Sequence, residues 1–417
     1  MEALLEMKRN VLIIGAGAVS HVVCHKIAKN NDAFGKIYLA SRTLKNCDEI
    51  LKSVERKNNY KIPDNKIISK QIDAFNVEEI IKLIKELNVS IVINVASAFC
   101  NMSILEACIQ TGSAYIDTAI HEDPDKVCET PPWYANYEWK RKDRCSENKV
   151  TAVLGAGFDP GVVNAYCALA VKHHFDKIAT IDIMDVNAGS HGKYFATNFD
   201  PEINFREFSK VWTWIDKQWV EKPVHADKLV YDFPVVGEQS VYLTGHDELH
   251  SLSKNIKAKS IRFWMGFSDH YINVFSVLKN IGLLSEKTVK TSEGLEVVPL
   301  KVVKACLPNP KTLAVNYTGK TCIGCLIKGK KEGKNKELFI YNVCDHKDCY
   351  NEVEAQAISY TAGVPPVVAA MLIANGTWDV KTMVNVEELD PDPFIELLAE
   401  NGLTTEIITN IPSKKFI

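Results

Sequence analysis

The 417-residue sequence predicts an α/β protein: a Rossmann doubly wound parallel sheet, then a second, mixed α+β domain, then C-terminal helices returning to the first. Three observations predict it. Short β-rich runs alternate with helical periodicities from residue 11 to about 157. A glycine turn, "GAGAVS", separates the first apolar run from the first helical stretch. After "GAGFDPG" the pattern shifts to longer stretches rich in Val, Ile, Tyr, Trp and Phe with turn signals between them.

The predicted strands are 11–14, 36–40, 66–72, 90–96, 114–118 and 151–154. Between the first two, Val19, Val22, Val23, Ile27 and Ala28 recur at helical spacing, and Ile80, Ile81, Leu83 and Ile84 repeat the pattern before the fourth. The crossover 121–149 interrupts the alternation with Trp133, Tyr134, Tyr137 and Trp139, aromatics suited to a lid or interface, or to packing the loop onto the sheet. An apolar helix over 162–171 opens the second domain. Near the end, "AISYTAGVPPVVAAMLIANG" reads as an apolar helix whose small residues suit close packing, and Leu389, Phe394, Leu397 and Leu398 mark an amphipathic tail. The boundaries expected are 1–158 for the first domain, 159–355 for the second, and 356–417 for the returning helices, with each of the two lobes burying a core of its own.

The charge balance, 49 basic against 52 acidic residues interspersed along the chain, leaves no electrostatic footprint for nucleic acid, so small molecules are the expected partners. No run of about 18 apolar residues and no basic-then-apolar leader is read, which predicts a cytoplasmic chain with no membrane partner. Twelve scattered cysteines, among them Cys24, Cys108 and Cys167, suit buried reduced thiols.

The glycine turn supplies the first chemistry. Gly15 permits the tight turn and Gly17 the close approach of a pyrophosphate, while Ala16, Ala18 and Val19 present backbone N–H groups at a helix N-terminus. Ser20 stands where a third small residue usually packs the helix on the strand. At the end of the second strand, Ser41, Arg42 and Thr43 replace the acid that would hold an adenosine ribose. A guanidinium there suits a 2′-phosphate, so the cofactor predicted is NADP(H). Asp73, then Asn94, Val95, Ala96 and Ser97, end the next two strands and should wall the cofactor crevice. Asp117 ends the fifth, and Asp159 follows the sixth, as a candidate catalytic acid or a helix N-cap.

Together, "VLIIGAGAVSHVVCHKIA", "YIDTA", "GAGFDPGVVNAY", "GHDELHSL", "IRFWMGFSDHY" and "EAQAISYTAGVPPV" resemble the saccharopine dehydrogenase-like family, from about residue 10 to 400. The resemblance implies an NADPH-dependent reductive condensation of L-aspartate 4-semialdehyde with a diamine, putrescine or 1,3-diaminopropane, in polyamine biosynthesis. It also implies a homodimer. Another enzyme of this scaffold, joining a semialdehyde to glutamate, and a non-catalytic NADPH-binding sensor are the alternatives.

Condensation chemistry needs carboxylates near an iminium and a proton shuttle, for which Asp117, Asp159, His191 and His246 are candidates. A substrate carboxylate calls for Arg206 or Arg262, either of which could instead serve a structural ion pair. The distal ammonium calls for Glu207, Glu248, Trp212 or Trp214. Cys322, Cys325, Cys344, His346 and Cys349 could be drawn together as a zinc site. Side chains three apart on a strand face opposite ways, however, and no metal is expected.

Overall fold

The computed structural model describes residues 8–57, 62–126, 129–207, 211–409, 411 and 415–416. Its first sheet contains the six predicted strands as β1 (Asn10–Ile14), β2 (Ile37–Ser41), β3 (Ile67–Gln71), β4 (Val89–Asn94), β5 (Ala114–Ile116) and β6 (Ala152–Leu154). All pair in parallel, in the order 3-2-1-4-5-6, with Ile13 beside Leu39 on one flank and Ile93 on the other. A seventh strand, Met383–Asn385, pairs in parallel with β6 from the C-terminal region, where a tail of helices alone was expected. Helices α1 (Ala18–Lys29) and α2 (Leu44–Arg56) cover one face, and α3 (Val77–Glu86) and α4 (Asn101–Thr111) the other. The inner strands β1, β2 and β4 are apolar on both sides because both faces are covered, whereas the edge strand β3 carries Ser69, Lys70 and Gln71.

The second sheet is mixed. It includes β7 (Lys177–Asn187), β8 (Val211–Ile215), β9 (Gln218–Lys222), β10 (Lys228–Phe233), β11 (Gly237–Thr244) and β12 (Ser260–Gly266), with the first strand of the long hairpin Lys320–Lys331 and Lys334–Asp345 antiparallel to β7. The tail also reaches this sheet, since Glu406–Ile408 pairs with the hairpin's second strand.

Each lobe buries a cluster of its own, around Leu12, Val92 and Leu154 in the first and Met184, Leu243 and Phe339 in the second. A further, larger core joins them, running from Val11, Ile13 and Ile93 of the first sheet to Ile181, Ile183 and Phe263 of the second. It passes through the Val162–Leu169 and Ala357–Ala374 helices. The latter has a mean hydropathy of 1.7 and is long and apolar enough to cross a membrane by composition. That corrects the reading that no such run exists, but 78% of it is buried inside the protein. An apolar surface on all sides is what a helix wedged between two sheets needs.

Gly363 of this helix crosses α1, where a Cβ would lie 2.6 Å from the Val22 Cβ and 3.0 Å from the Val19 carbonyl oxygen. Ser20, fully buried on α1, keeps its Oγ without a partner. Two outcomes are expected in denaturant unfolding. Gly363→Ala pushes the helices apart and lowers stability by about 1–3 kcal/mol, as over-packing does. Ser20→Ala removes an unsatisfied hydroxyl and leaves stability unchanged or raised by up to about 1 kcal/mol.

Candidate active site

The glycine turn is built as a phosphate cradle. Gly15 has φ +118°, and a Cβ there would meet the Val95 carbonyl oxygen at 2.5 Å, so no other residue fits between β1 and the loop after β4. Gly17 caps α1 with open space above it: nothing lies within 4 Å of where its Cβ would stand. The first turn of α1 carries no acidic residue, which leaves its N–H groups and partial positive charge facing that space.

Around this turn, Arg42 is exposed, and its guanidinium has no ion-pair partner among the described residues. Ser41 Oγ accepts from the Thr43 amide at 3.1 Å, and Gln71 Nε2 donates to the Arg42 carbonyl, which fixes the loop that carries the arginine. Asp73 is exposed and turns its own loop by accepting from the Phe75 amide at 3.1 Å. Asn94, by contrast, is buried. Its Nδ2 donates to Asn101 and Tyr115 and its Oδ1 accepts from the Ala96 amide, so it shapes the crevice wall from behind and presents nothing to a cofactor. Of the remaining wall residues, Ser97 is the exposed one. The open turn, the acid-free helix start and the unpaired arginine fit an NADP phosphate pair.

A residue that the sequence did not single out joins this corner. Lys311, from the short Pro310–Asn316 helical segment of the second lobe, donates to the Ala16 carbonyl at 2.7 Å.

A cavity of about 240 Å³ opens beside Val19 of α1 and the carboxyl ends of the first sheet's strands. The loops after β4 and β5 contribute Ala98, Thr118 and Ala119; the crossover gives His121, Glu122, Asp123, Lys126, Glu129 and Trp133; the second lobe gives Asp185, Arg206, His246 and Asp247. Asp159 and Pro160 stand where the chain passes between the lobes. Six carboxylates (Glu122, Asp123, Glu129, Asp159, Asp185 and Asp247) therefore face two permanent cations, Lys126 and Arg206.

Burial raises the Glu122 carboxyl to about 7 despite the adjoining Arg206, and burial likewise raises Asp247 to about 6, against His246 and the Ile120 amide that favour its ionised form. Asp185 is also lifted to about 6 by burial, against His246, which favours its ionised form. His246 stacks on Phe263 with centroids 4.1 Å apart, and its Nδ1 meets Glu248 Oε2 at 2.6 Å. The crossover is held by Trp133, stacked on His250, which is itself stacked on Trp219 of β9, while Tyr134 is buried against Trp139. Those aromatics thus pack the loop and wall the cavity together.

Of the residues chosen from sequence, Asp159, His246, Arg206 and Val19 meet at this cavity, and several others do not. Asp117 is enclosed behind it, with Oδ1 accepting from the Gly155 amide at 2.6 Å and its carboxyl pushed up to about 7 by burial. His191 lies edge-on to Tyr317 away from the cavity. Arg262 is spent on Asp182, with Nε and Nη2 at 2.7 and 2.9 Å across neighbouring strands β12 and β7. Trp212 and Trp214 sit on β8, apart from the cavity, and Glu248 is fully buried behind His246. Glu207 has a side chain outside the described residues.

Arg206 does line the cavity, but its fork is occupied. Nε meets Glu286 at 2.8 Å, Nη1 meets Glu122 at 3.3 Å, and Nη1 and Nη2 donate to the carbonyls of Asp123 and Pro124. It clamps the acidic segment rather than offering a free carboxylate receptor. Cys322 and Cys325 fall in cores on opposite faces of the second sheet, and among the described residues no three His, Cys, Asp or Glu side chains converge as metal ligands.

Comparison with known proteins agrees with this geometry. Residues 11–153 match the saccharopine dehydrogenase NADP binding domain, and residues 157–403 the saccharopine dehydrogenase C-terminal domain. A carboxynorspermidine synthase of Vibrio alginolyticus is 47% identical over 94% of this chain and 95% of its own length. A carboxyaminopropylagmatine dehydrogenase of Synechocystis sp. is 42% identical over 96% of this chain and 98% of its own. The fold is that of the apo saccharopine dehydrogenase (L-Glu forming) of Saccharomyces cerevisiae, with a TM-score of 0.66 at 13% identity, covering 96% of this chain and all of that one.

The cofactor corner carries one expected outcome. Replacing Arg42 with Ala removes a charge-assisted contact of about 1.5–3 kcal/mol. In fluorescence titrations without substrate, NADPH should then bind about 10–100-fold more weakly while NADH binding stays unchanged.

Proposed function

This chain belongs to the saccharopine dehydrogenase family, and on that premise we propose that it joins L-aspartate 4-semialdehyde to a diamine and reduces the resulting C=N bond with NADPH. One observation carries the reading: the cavity beside the dinucleotide turn is walled by six carboxylates against two permanent cations, both of which are already engaged by protein acids. Such a site concentrates polycations. NADPH, when bound, supplies the hydride.

The acids fall into two groups by the elements that bear them. Asp159, Asp185 and Asp247 stand with His246 near the passage between the lobes, and suit the reacting nitrogen. Glu122, Asp123 and Glu129 line the crossover, and suit the distal cation of the same amine. Lys126, whose ammonium lies 3.1 Å from Asp123 and is largely exposed, is the cation that can turn to a substrate carboxylate. The Vibrio and Synechocystis relatives, whose names contain norspermidine and agmatine, support an amine with a distal positive group.

The test is NADPH oxidation with aspartate semialdehyde and, in turn, putrescine, 1,3-diaminopropane, agmatine, glutamate or no amine. Oxidation that requires one of the three cationic amines is expected. Oxidation with glutamate alone would replace the reading by a saccharopine-forming one, and NADPH binding with no turnover would replace it by a sensor. The pH dependence follows from the carboxyls. Asp247 and Glu122 are protonated below about 6 and 7 and cannot pair with an ammonium there, whereas the amine itself stays charged throughout. The KM for the diamine is therefore expected to fall as pH rises from about 5.5 to about 8. Glu122→Gln should flatten the upper part of that change.

A further inference from the structure

Resting on the cofactor part of the reading above and on neither substrate, we infer that Lys311 of the second lobe is a ligand of the cofactor's phosphate groups. The dinucleotide is then gripped from both lobes.

The ammonium already stands at the cradle. Its Nζ donates to the Ala16 carbonyl at 2.7 Å, and Ala16 lies between Gly15 and Gly17, the two glycines of the turn. A carbonyl oxygen is the wrong-signed group in a cradle for anions, and an ammonium beside it offsets its repulsion. An ammonium carries three N–H donors. One is used on Ala16, while Lys311 is exposed and makes no ion pair among the described residues, which leaves donors and a full charge for an anion.

The neighbouring charges single this lysine out. A cavity of about 210 Å³ is lined by Lys311 and by Ala18 of the first turn of α1, so the ammonium and the helix start border one space. On the same cavity, Arg56 is paired with Glu354 at 2.8 Å and Glu49 with Lys45 at 3.9 Å, while His21 Nε2 meets the Val353 carbonyl at 2.8 Å. Lys311 is the lining cation left without a carboxylate partner among the described residues. Its part-burial pulls its proton affinity below the ordinary lysine value against the opposing field of Glu49, a loss that a bound phosphate would reverse.

The second lobe fixes where the lysine stands. Asn309 Oδ1 accepts from the Lys311 amide at 3.0 Å at the start of its short helical segment, and Leu313 in the same segment is buried. Just after the segment, the Tyr317 hydroxyl accepts from Asn187 Nδ2 at 2.6 Å and donates to Asn198 Oδ1 at 2.8 Å. Asn187 ends β7, so the lysine reaches the turn from a segment fastened to the second sheet, whereas Arg42 reaches it from the loop after β2. A dinucleotide held by both draws binding energy from the second lobe before any substrate arrives.

The experiment titrates NADPH and NADH by fluorescence, without substrate, into wild type, Lys311→Met, Lys311→Arg and Lys57→Met. Lys57 is the control because its Nζ donates to the Asn351 carbonyl at 2.8 Å, an ammonium-to-backbone tie of the same kind made at the far end of α2. Lys311→Met should bind NADPH about 10–100-fold more weakly, as loss of a charge-assisted contact predicts. Lys57→Met should match wild type, and Lys311→Arg, which keeps the charge, should recover most of the loss. The deficit should shrink as salt rises from about 0.05 to about 0.5 M, because screening weakens a charge and spares a packing contact. NADH separates the phosphates. An equal loss for both nucleotides places Lys311 on the pyrophosphate, and a loss confined to NADPH places it on the 2′-phosphate with Arg42. Binding by Lys311→Met within about twofold of wild type would overturn the inference. So would a loss that Lys311→Arg shares in full, or one that salt leaves unchanged. A wild type that binds neither nucleotide would overturn the cofactor reading and the inference together, whereas binding without amine-dependent turnover would overturn the condensation alone.

Discussion

Burial of the Ala357–Ala374 helix between two sheets is the constraint on which the site depends. It is apolar on all sides, so only a position with covered surfaces on every side stabilises it. Its crossing with α1 at Gly363 sets that helix, and with it the glycine turn, against the second lobe. Residues Ile358, Ser359, Thr361 and Ala362 of the same helix line the acidic cavity. The wall of the site is thus continuous with the core, and the dinucleotide turn and the acidic pocket cannot drift apart without opening apolar contacts. Polar ties reinforce the seam: the buried ammonium of Lys26 on α1 meets Glu352, the Tyr360 hydroxyl at 2.6 Å and the Asn401 carbonyl at 2.8 Å. A lysine so enclosed is tolerable because its three donors all find oxygen.

The same seam explains the electrostatics. Carboxyls such as Glu122, Asp185 and Asp247 are held between the lobes, where poor solvation raises their proton affinity. Arg206 offsets part of that at one end by bridging Glu122 and Glu286 and binding two backbone carbonyls, which also pins the acidic crossover to the second lobe. His246 is aimed from the other end by Glu248 and by the face of Phe263. The acids are therefore presented by side chains whose own positions are fixed, as preorganised catalysis requires.

What was legible in the sequence was local. Six strands, the glycine turn and Arg42 each declare themselves within a few residues, because turn chemistry and strand alternation are short-range. The seventh strand was not legible: three residues, Met383–Asn385, carry no periodicity, and only their pairing with β6 reveals them. Arg262 looked like a substrate receptor because its partner Asp182 lies 80 positions away on the adjacent strand. Asp117 looked like a site acid because it ends a strand at the right edge, yet its side chain turns to the Gly155 amide behind the crevice. Glu122, Asp185, Asp247 and Lys311 went unnoticed for the converse reason: each is an ordinary charge in sequence and acquires meaning only where crossover, second sheet and dinucleotide turn converge.

The charge of that convergence also bears on which amine partner the cavity accepts. A glutamate partner would add two carboxylates to a wall that already holds six, with Arg206 paired to Glu122 and Glu286 and the more exposed Lys126 to Asp123 and Glu129. At an effective dielectric of about 20, each like-charge pair separated by about 6 Å costs about 3 kcal/mol, so a second acidic substrate meets repulsion that one lysine does not offset. An amine with a distal cation meets the opposite situation, since it neutralises carboxylates that are already strained toward protonation by burial. Binding such a cation returns those carboxyls to their ionised form. The energy that desolvation stored in the empty cavity then favours occupancy by a polycation and disfavours an anion of the same length.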